Sequence, residues 1–370
     1  GNILSIITKK KTTETFLASL DSLPKNTMYC TKNMVSKFTA FVRETQNLTP
    51  DQLCEELSIM KKRDEEEYIN TLYTVLQDFI DDMNTKISAR SIKTNFAYLR
   101  TFLYYLGVRT NQQDVKMMLK FPKVSHEEKY PLKLEELRKI VDHFTRYPII
   151  KACWQAQAGS GMRIAEVLAI RKKDLQFKER IHVYIKASGS KNLRGRTVIL
   201  SKETQDTVET YLDDLNDDDL VFYRGVTKNE KAREINALRN LRVCLDRLNL
   251  GMKYENGKYK ISSHSLRSFF FTQAVRKHGV NYAHRMTGHS GYLMQYDRMN
   301  DEEKLKMYLE LEPDLSIYAT TKADLEIERL KILQTKENKN LKEELDELKH
   351  QLAQQGMDIL KQLQDQKKIL

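Results

Sequence analysis

The stretch that decides the fold lies near the middle of the chain, where residues 161–168 read GMRIAEVL. Its apolar residues fall on one side, so the pattern predicts a helical segment over residues 161–170. Arg163 stands at the start of this segment, and Glu166 follows three residues later. A planar guanidinium suits bidentate binding of phosphate oxygens. The plainer alternative is a surface ion pair between these two residues. We interpret Glu166 as a structural group that orients an arginine.

The segments on either side predict a mainly helical domain with a small sheet. Upstream, an amphipathic helix is expected around residues 134–144. Downstream, apolar residues alternate over 181–185, a basic turn follows at 188–191, and residues 197–200 return as a second strand. This order is typical of a β-hairpin with a basic tip. Helical patterns then continue to about Tyr308.

The first 120 residues predict a separate helical domain. Thr49-Pro50-Asp51 has the order of a cap followed by a first-turn proline, which opens a helix. Two apolar stripes follow at three- and four-residue spacing, and Gly107 is placed to end the second. The stripes are Tyr68, Leu72, Val75, Phe79 and Met83, and then Ile92, Phe96, Leu99, Leu103 and Leu106.

The last fifty residues have a different pattern. Leu341, Leu345, Leu348, Leu352 and Ile359 follow a four-three alternation, with Gln355 in one core position. This spacing predicts a coiled coil of about three heptads. The alternative is a single long helix packed on its own domain. The predicted organisation is a helical core-binding domain (1–121), a linker (122–131), an α+β catalytic domain (132–321) and a C-terminal helix (322–370).

Composition narrows the class of function. The chain has 370 residues, with 62 Lys and Arg against 51 Asp and Glu, a net charge of +11. Basic residues concentrate in 163–196 and 260–298, which indicates either a solvated basic surface or a cleft for a polyanion such as nucleic acid. We expect no membrane span and no signal peptide, since apolar runs are short. Four widely spaced cysteines favour a reducing cytoplasm and argue against structural zinc or a disulfide framework.

The order of reactive residues matches what phosphodiester cleavage without metal or nucleotide requires. Arginines bind the non-bridging oxygens, a lysine protonates the leaving oxygen, and a tyrosine hydroxyl can store the bond energy in an ester. Positive charge nearby would favour the phenolate of that tyrosine. After GMRIAEVL come a basic hairpin with Lys191, then HSLR at 264–267 and GHS at 288–290, followed by Tyr292 and Tyr296.

Over about residues 60–310 the sequence resembles the tyrosine recombinase family, which includes phage integrases and Xer-like proteins. The resemblance rests on the three motifs GMRIAEVL, HSLR and GHS, in that order, with the basic hairpin between the first two. Each motif is weak alone, and together they are specific. The resemblance implies a mainly α fold with a small β-sheet, a core-binding domain and a catalytic domain.

The resemblance also implies roles for individual residues. Arg163 and Arg267 correspond to the arginines that clamp the scissile phosphate, His264 assists proton transfer, and His289 hydrogen-bonds the phosphate. Lys191 corresponds to the lysine that protonates the leaving 5′-hydroxyl, and Lys186 is its alternative. An ordinary turn lysine at 191 and a structural histidine at 289 remain open.

The nucleophile is assigned to Tyr296, seven residues after His289. In many family members it comes at nine, where this chain has Arg298. The order Tyr296-Asp297-Arg298 resembles the family's ending. Tyr292 is the nearer alternative, and Tyr308 and Tyr318 are remote ones.

The implied function is site-specific DNA recombination by an integrase or transposase of a mobile element, through a 3′-phosphotyrosyl intermediate and without cofactor or metal. The partners are double-stranded DNA and further copies of the chain, as a dimer or tetramer on DNA. A type IB topoisomerase-like enzyme and a non-catalytic DNA-binding protein are the alternatives. The expected DNA contacts are Arg171, Lys172, Lys173, Arg194 and Arg196, with Lys93 and Arg100 in the N-terminal domain.

Overall fold

The computed structural model describes residues 10–124, 127–186, 195–289 and 299–367, and the side chains as far as residue 361. The chain forms two compact units, Gly1–Glu127 and Glu128–Leu370. Their boundary falls inside the segment 122–131 that the sequence marks as a linker.

The N-terminal unit is a helical bundle with an aromatic core. Phe79 packs edge-on against Phe38, with ring centroids 5.1 Å apart, and Phe102 contacts the same ring. Thr49 caps its helix reciprocally with Gln52, as the Thr-Pro-Asp sequence predicts. The helices are α1 (Thr13–Ser19), α2 (Lys25–Gln46), α3 (Pro50–Arg63), α4 (Glu65–Lys86), α5 (Ala89–Tyr105) and α6 (Gln112–Met118).

The second unit is mainly helical and holds a three-stranded antiparallel sheet in the order β1-β2-β3. Val183 in the central strand lies opposite Leu175 and Val198. The elements are α7 (Leu134–His143), α8 (Pro148–Ser160), α9 (Ile164–Val167), β1 (Leu175–Phe177), β2 (Ile181–Ile185), β3 (Arg196–Ile199), α10 (Lys202–Glu209), α11 (Glu230–Arg247), α12 (Ser263–His278), α13 (Val280–Thr287), α14 (Asp301–Leu315) and α15 (Ala319–Lys367).

The structure differs from the sequence prediction around residues 161–168. The helix expected over 161–170 is a single turn, α9, because Gly161 ends α8 in the left-handed conformation. Helix α8 has no amphipathic period, since it is buried on nearly every side around Trp154. Strand β1 is too short to show an alternation.

Helix α14 is tied firmly into the second unit. The Tyr308 hydroxyl, fully buried, donates a hydrogen bond to the Gly159 carbonyl over 2.6 Å. Glu312 accepts from the Arg180 guanidinium and from the Lys202 amide, all three being buried or half-buried. These contacts fix the chain that follows the Tyr296 segment.

Helix α15 is 49 residues long and changes environment along its length. Leu325 near its start is buried, whereas every described side chain from 337 to 361 is exposed. The alternative of a helix packed along its whole length is therefore wrong for this distal part. In the part of the chain that the structure describes, no helix combines the length and apolarity needed to cross a membrane.

Candidate active site

Arg267 is the centre of the site. It lies one turn into α12, which begins with a reciprocal cap between Ser262 and Ser265, and it is 3% exposed. Its guanidinium donates from Nη1 to the Gly161 carbonyl over 2.6 Å and from Nη2 to the Thr287 carbonyl over 2.7 Å. Three separate segments therefore meet at one arginine.

Arg267 binds no carboxylate directly among the described residues. Its hydrogen-bond acceptors there are two carbonyls and the His289 ring, all of them neutral. Burial, followed by the charge of Arg163, lowers the pKa of Arg267 to about 10, and the charge of nearby Glu166 opposes this shift only in part. Arg267 is still protonated at pH 7, and because its buried charge is costly, an anion bound here would stabilise it.

Gly161 is required where it stands. Its φ of +67° belongs to the left-handed region, and a Cβ would lie 2.4 Å from Phe270 Cδ1. The glycine therefore lets α8 end tightly against α12 and brings its carbonyl within reach of Arg267.

Arg163 is held beside this site by Glu166. The Arg163 amide donates to Glu166 Oε2 over 2.8 Å, and Nη1 donates to Oε1 over 3.1 Å. The Arg163 side chain remains 23% exposed, whereas Glu166 is buried. Both sequence interpretations of this pair hold in part, because the ion pair exists and its carboxylate orients the arginine.

Arg196 is the second buried partner of the same carboxylate. It donates from Nη1 to Glu166 Oε1 over 3.1 Å, from Nη2 to Oε2 over 2.6 Å, and from Nε to the Met286 carbonyl over 3.0 Å. Burial by itself would raise the pKa of Glu166. The hydrogen bonds and charges of Arg196 and Arg163 outweigh burial, so this pKa lies below its usual value. The expectation that Arg196 contacts DNA is wrong, since the side chain is buried and paired inside the domain.

Gly288, in the GHS motif, makes room for Arg196. Its φ is +70°, and a Cβ would lie 2.8 Å from Arg196 Nη1. The turn before His289 therefore rests directly on the Arg196–Glu166 pair. Glu166 and Arg196 together connect the Arg163 turn to the His289 turn.

His289 is neutral in this site. Its Nε2 lies 2.9 Å from Arg267 Nη2, and because an arginine only donates, Nε2 is the acceptor. The other ring nitrogen, Nδ1, lies 3.4 Å from Thr287 Oγ1. Burial, then the charge of Arg267, lowers the pKa of His289 to about 4.

His264 lies on the first turn of α12 and is exposed. Partial burial of its ring lowers its pKa, and so do the charges of Arg267, Lys129 and Arg163. The structure thus brings together both predicted arginines and both predicted histidines. Sequence reasoning missed Lys129, which precedes the first helix of the domain, because spacing along the chain carries no signal of that proximity.

Several predicted residues lie elsewhere. Arg171, Lys172 and Lys173 contact the segment 212–219, where Lys172 Nζ donates to the Leu215 carbonyl over 2.8 Å and the other two bind Asp218. Arg171 and Lys173 are nevertheless exposed, so the contact of these residues with DNA stays a prediction. On α5, Lys93 is exposed, and Arg100 donates to Thr110 Oγ1 over 2.8 Å.

The hairpin lysine and the nucleophile fall outside the described residues, as do Tyr292 and Arg194; the alternative Lys186 is exposed after β2. The two remote nucleophile candidates are described, and both are engaged. Burial raises the pKa of Tyr308 far above its usual value. Burial and a hydrogen bond to Asp142 raise that of Tyr318. Neither hydroxyl is suited to attack a phosphate.

Comparison with known families identifies the domain. Residues 130–302 match the phage integrase family. The chain carries a phage integrase domain. The matched range contains every predicted catalytic residue.

Solved structures agree with this assignment at the level of fold. Lambda integrase bound to DNA superposes with a TM-score of 0.51 at 14% identity, covering 79% of this chain and 93% of that one. A lambda integrase dimer on a COC′ core site gives 0.50 at 15% identity, covering 78% and 96%. XerA recombinase gives 0.38 at 19% identity, covering 81% and 98%. Curated proteins give no match. The mainly helical fold with a small sheet is confirmed.

Proposed function

We propose that this protein is a tyrosine-type DNA recombinase, which cuts and rejoins DNA at specific sites through a covalent 3′-phosphotyrosyl link to Tyr296. The observation that carries the proposal is the buried charge of Arg267, which binds no carboxylate directly among the described residues and lies next to Arg163 and two histidines of lowered pKa. Such an arrangement stabilises an anion whose charge grows in a transition state. A scissile phosphate is the anion that the phage integrase domain implies.

Each residue has a defined role in the proposed step. The Tyr296 hydroxyl gives its proton to His264 as its oxygen attacks the phosphorus, the bond to the 5′-oxygen breaks, and Lys191 supplies the proton that the 5′-oxygen takes up. Arg163 and Arg267 bind the non-bridging oxygens, and His264 assists the proton transfers. A 5′-hydroxyl from a second duplex then displaces the tyrosine, so bond energy is conserved and neither metal nor nucleotide is consumed.

In this scheme His289 and the bound phosphate compete to accept a hydrogen bond from the Arg267 guanidinium. In the DNA-free structure its Nε2 accepts from the Arg267 guanidinium. A phosphate bound to Arg267 would take over that donor, and its negative charge would raise the pKa of His289. The ring can then be protonated at Nε2 and donate to the phosphate.

The anion site at Arg267 and the phage integrase domain also support double-stranded DNA as the partner. In the N-terminal unit, we propose that Lys93 on α5 contacts the DNA. We propose that further copies of the chain assemble on the DNA, and that the protein works in the cytoplasm on nucleoid DNA.

The experiment traps the covalent intermediate. A duplex carrying a verified binding site is nicked so that the short 5′ fragment diffuses away, and the reaction is run in EDTA. The parent protein is expected to give a protein–DNA band on a denaturing gel. Tyr296→Phe should abolish that band, and Tyr292→Phe, the matched control, should retain it.

Other outcomes would replace the proposal. Loss of the band only in Tyr292→Phe would move the nucleophile to that residue. A parent that forms the band and relaxes supercoils, yet exchanges no strands between two sites, would be topoisomerase-like. A parent that binds its site and forms no band would be a DNA-binding protein without catalysis.

A further inference from the structure

The C-terminal helix α15 turns one face to its own domain and a different face to solvent. Its first half lies against α14 and borders a groove of about 400 Å³. The α15 residues that line this groove are Leu325, Glu328, Arg329, Ile332, Leu333 and Lys336. These positions repeat at three and four residues, so they form one face of the helix.

The apolar residues beyond Lys336 lie on the face opposite the groove, a face that the exposed Ile327 and Leu330 already share. At 3.6 residues per turn, Leu341 lies about 180° around the helix from Ile332. On the face that continues the groove stripe, the next positions are Lys339 and Glu343, which are polar. The domain that packs against the first half therefore cannot cover the distal stripe.

The distal stripe is long and exposed. Its members are 52–67% exposed, namely Leu341, Leu345, Leu348, Leu352 and Ile359. They alternate at four and three residues, the spacing of core positions in a left-handed coiled coil. A single exposed leucine needs no explanation, but five in one seam indicate an interaction surface.

The charges beside this seam specify what covers it. With Leu345 at a core a position, Glu337 and Glu344 occupy g positions, and Lys342 and Lys349 occupy e positions. In a parallel pair of identical helices, each g side chain faces the e side chain five residues later on the other copy. Both such contacts join Glu to Lys. In an antiparallel pair, Glu would face Glu and Lys would face Lys.

The core position of Asn338 also favours a parallel arrangement. Asn338 falls at an a position in this register. A single polar asparagine at a specifies register and oligomeric state in parallel dimers, at a cost in stability. We propose that residues 337–359 form a parallel two-stranded coiled coil with a second copy of this chain. Because the helices run parallel, the two catalytic units lie at the same end of the coil and are paired before DNA is bound.

This proposal does not depend on the cleavage chemistry, so its test uses the full-length protein without DNA. Sedimentation equilibrium is expected to show a concentration-dependent dimer. The double variant Glu337→Lys/Glu344→Lys places Lys against Lys, and Lys342→Glu/Lys349→Glu places Glu against Glu. Each alone should be monomeric at concentrations where the parent is dimeric, and an equal mixture of the two should again form dimers.

A matched control separates local charge pairing from overall charge. Glu343→Lys/Glu347→Lys makes the same change in charge as the first variant, at positions that face away from the seam. It should dimerise as the parent does. A parent that stays monomeric, or charge variants that dimerise like the parent, would overturn the proposal.

Orientation is tested by a disulfide. In a parallel coil Leu341→Cys faces its own copy and should cross-link on oxidation, whereas Glu343→Cys, on the outer side, should not. In an antiparallel coil each d position faces an a position of the other copy, so residue 341, at d, would not face its own copy. A dimer in which Leu341→Cys fails to cross-link would therefore contradict the parallel arrangement.

Discussion

Two buried arginines of the catalytic unit lie close to the turns that carry Arg163 and His289, yet they differ in whether a carboxylate binds them. Arg196 gives its guanidinium to the carboxylate of Glu166. Arg267 gives its guanidinium to carbonyl groups and to a neutral histidine. Both are less than 10% exposed. Arg196, which is paired with a carboxylate, stabilises the fold, whereas Arg267, which binds no carboxylate directly among the described residues, is available to an anion.

The comparison also explains why the site needs both. Arg196 and Glu166 join the turn that carries Arg163 to the turn that carries His289, so the clamp has a fixed geometry before DNA binds. Preorganised donors cost no reorganisation when charge develops on the phosphate. If a carboxylate were hydrogen-bonded to Arg267 in the same way, the positive charge of Arg267 would already be neutralised within the protein.

The largest effect is expected from breaking the neutralised pair. In Arg196→Gln, Glu166 stays buried and keeps only Arg163 as an ion-pair partner. The cost in the free energy of unfolding should therefore lie towards the lower end of the about 3–5 kcal/mol that is typical of breaking a buried ion pair. Trp154 is the only tryptophan of the chain and is fully buried in α8, so its fluorescence during urea unfolding reports on the catalytic unit.

The double variant Glu166→Gln/Arg196→Gln is the control for this experiment, because it removes both charges and should recover part of the lost stability. A cost below about 1 kcal/mol in the single variant would fall in the range of exposed ion pairs and would show that the pair is not structural.

The second effect concerns activity. Arg267→Gln should lower the rate of covalent complex formation on the nicked duplex by about a hundredfold or more, as for the loss of one transition-state donor. Its stability should fall less than that of Arg196→Gln, because no buried carboxylate loses its partner. Arg267→Lys keeps the charge and loses the planar fork, so it should rescue only part of the rate.

Binding is measured alongside by fluorescence anisotropy on the intact site. Most contacts with DNA go to other phosphates, so affinity should change much less than rate. Equal losses of affinity and rate would place Arg267 in general DNA binding and would remove the contrast with Arg196.

The sequence predicted the fold class, and the order of its motifs singled out the two arginines and two histidines that the structure brings together; their catalytic roles stay predictions. It did not predict the role of Arg196, which spacing alone presents as one more basic residue near the hairpin tip. A signal existed, however. Arg196 is two residues before Val198, a buried residue of β3, so strand alternation points both side chains inward.

Other parts of the molecule lay beyond sequence reasoning for physical reasons. Helix α8 is buried on nearly all sides and so shows no helical period, although it supplies the turn at Gly161 that holds Arg267. In α15, the leucine spacing is visible in the sequence. That this stripe faces away from the domain follows only from the packing of the first half of the helix against α14.

The smallest expected effect comes from His289, whose pKa is lowered by burial and then by the charge of Arg267. The pKa of this histidine lies near 4 in the folded protein and near 6.5 in an unperturbed chain. Between these values the unfolded state binds more protons, so stability falls as pH is lowered from 6.5 towards 4. His264 contributes in the same direction.

His289→Gln should therefore lose less stability than the parent between pH 7 and pH 5, measured by urea unfolding with Trp154 fluorescence. His350→Gln, on the exposed part of α15, is the control and should follow the parent. In Arg267→Gln the nearest charge that disfavours protonation is gone, so the contribution of His289 to the pH dependence should shrink as well. If His289→Gln instead flattened the pH dependence equally with and without Arg267, the low pKa of His289 would come from burial and from charges other than that of Arg267. The charge of Arg267 would then not act on the His289 ring, which would contradict its part in the comparison with Arg196.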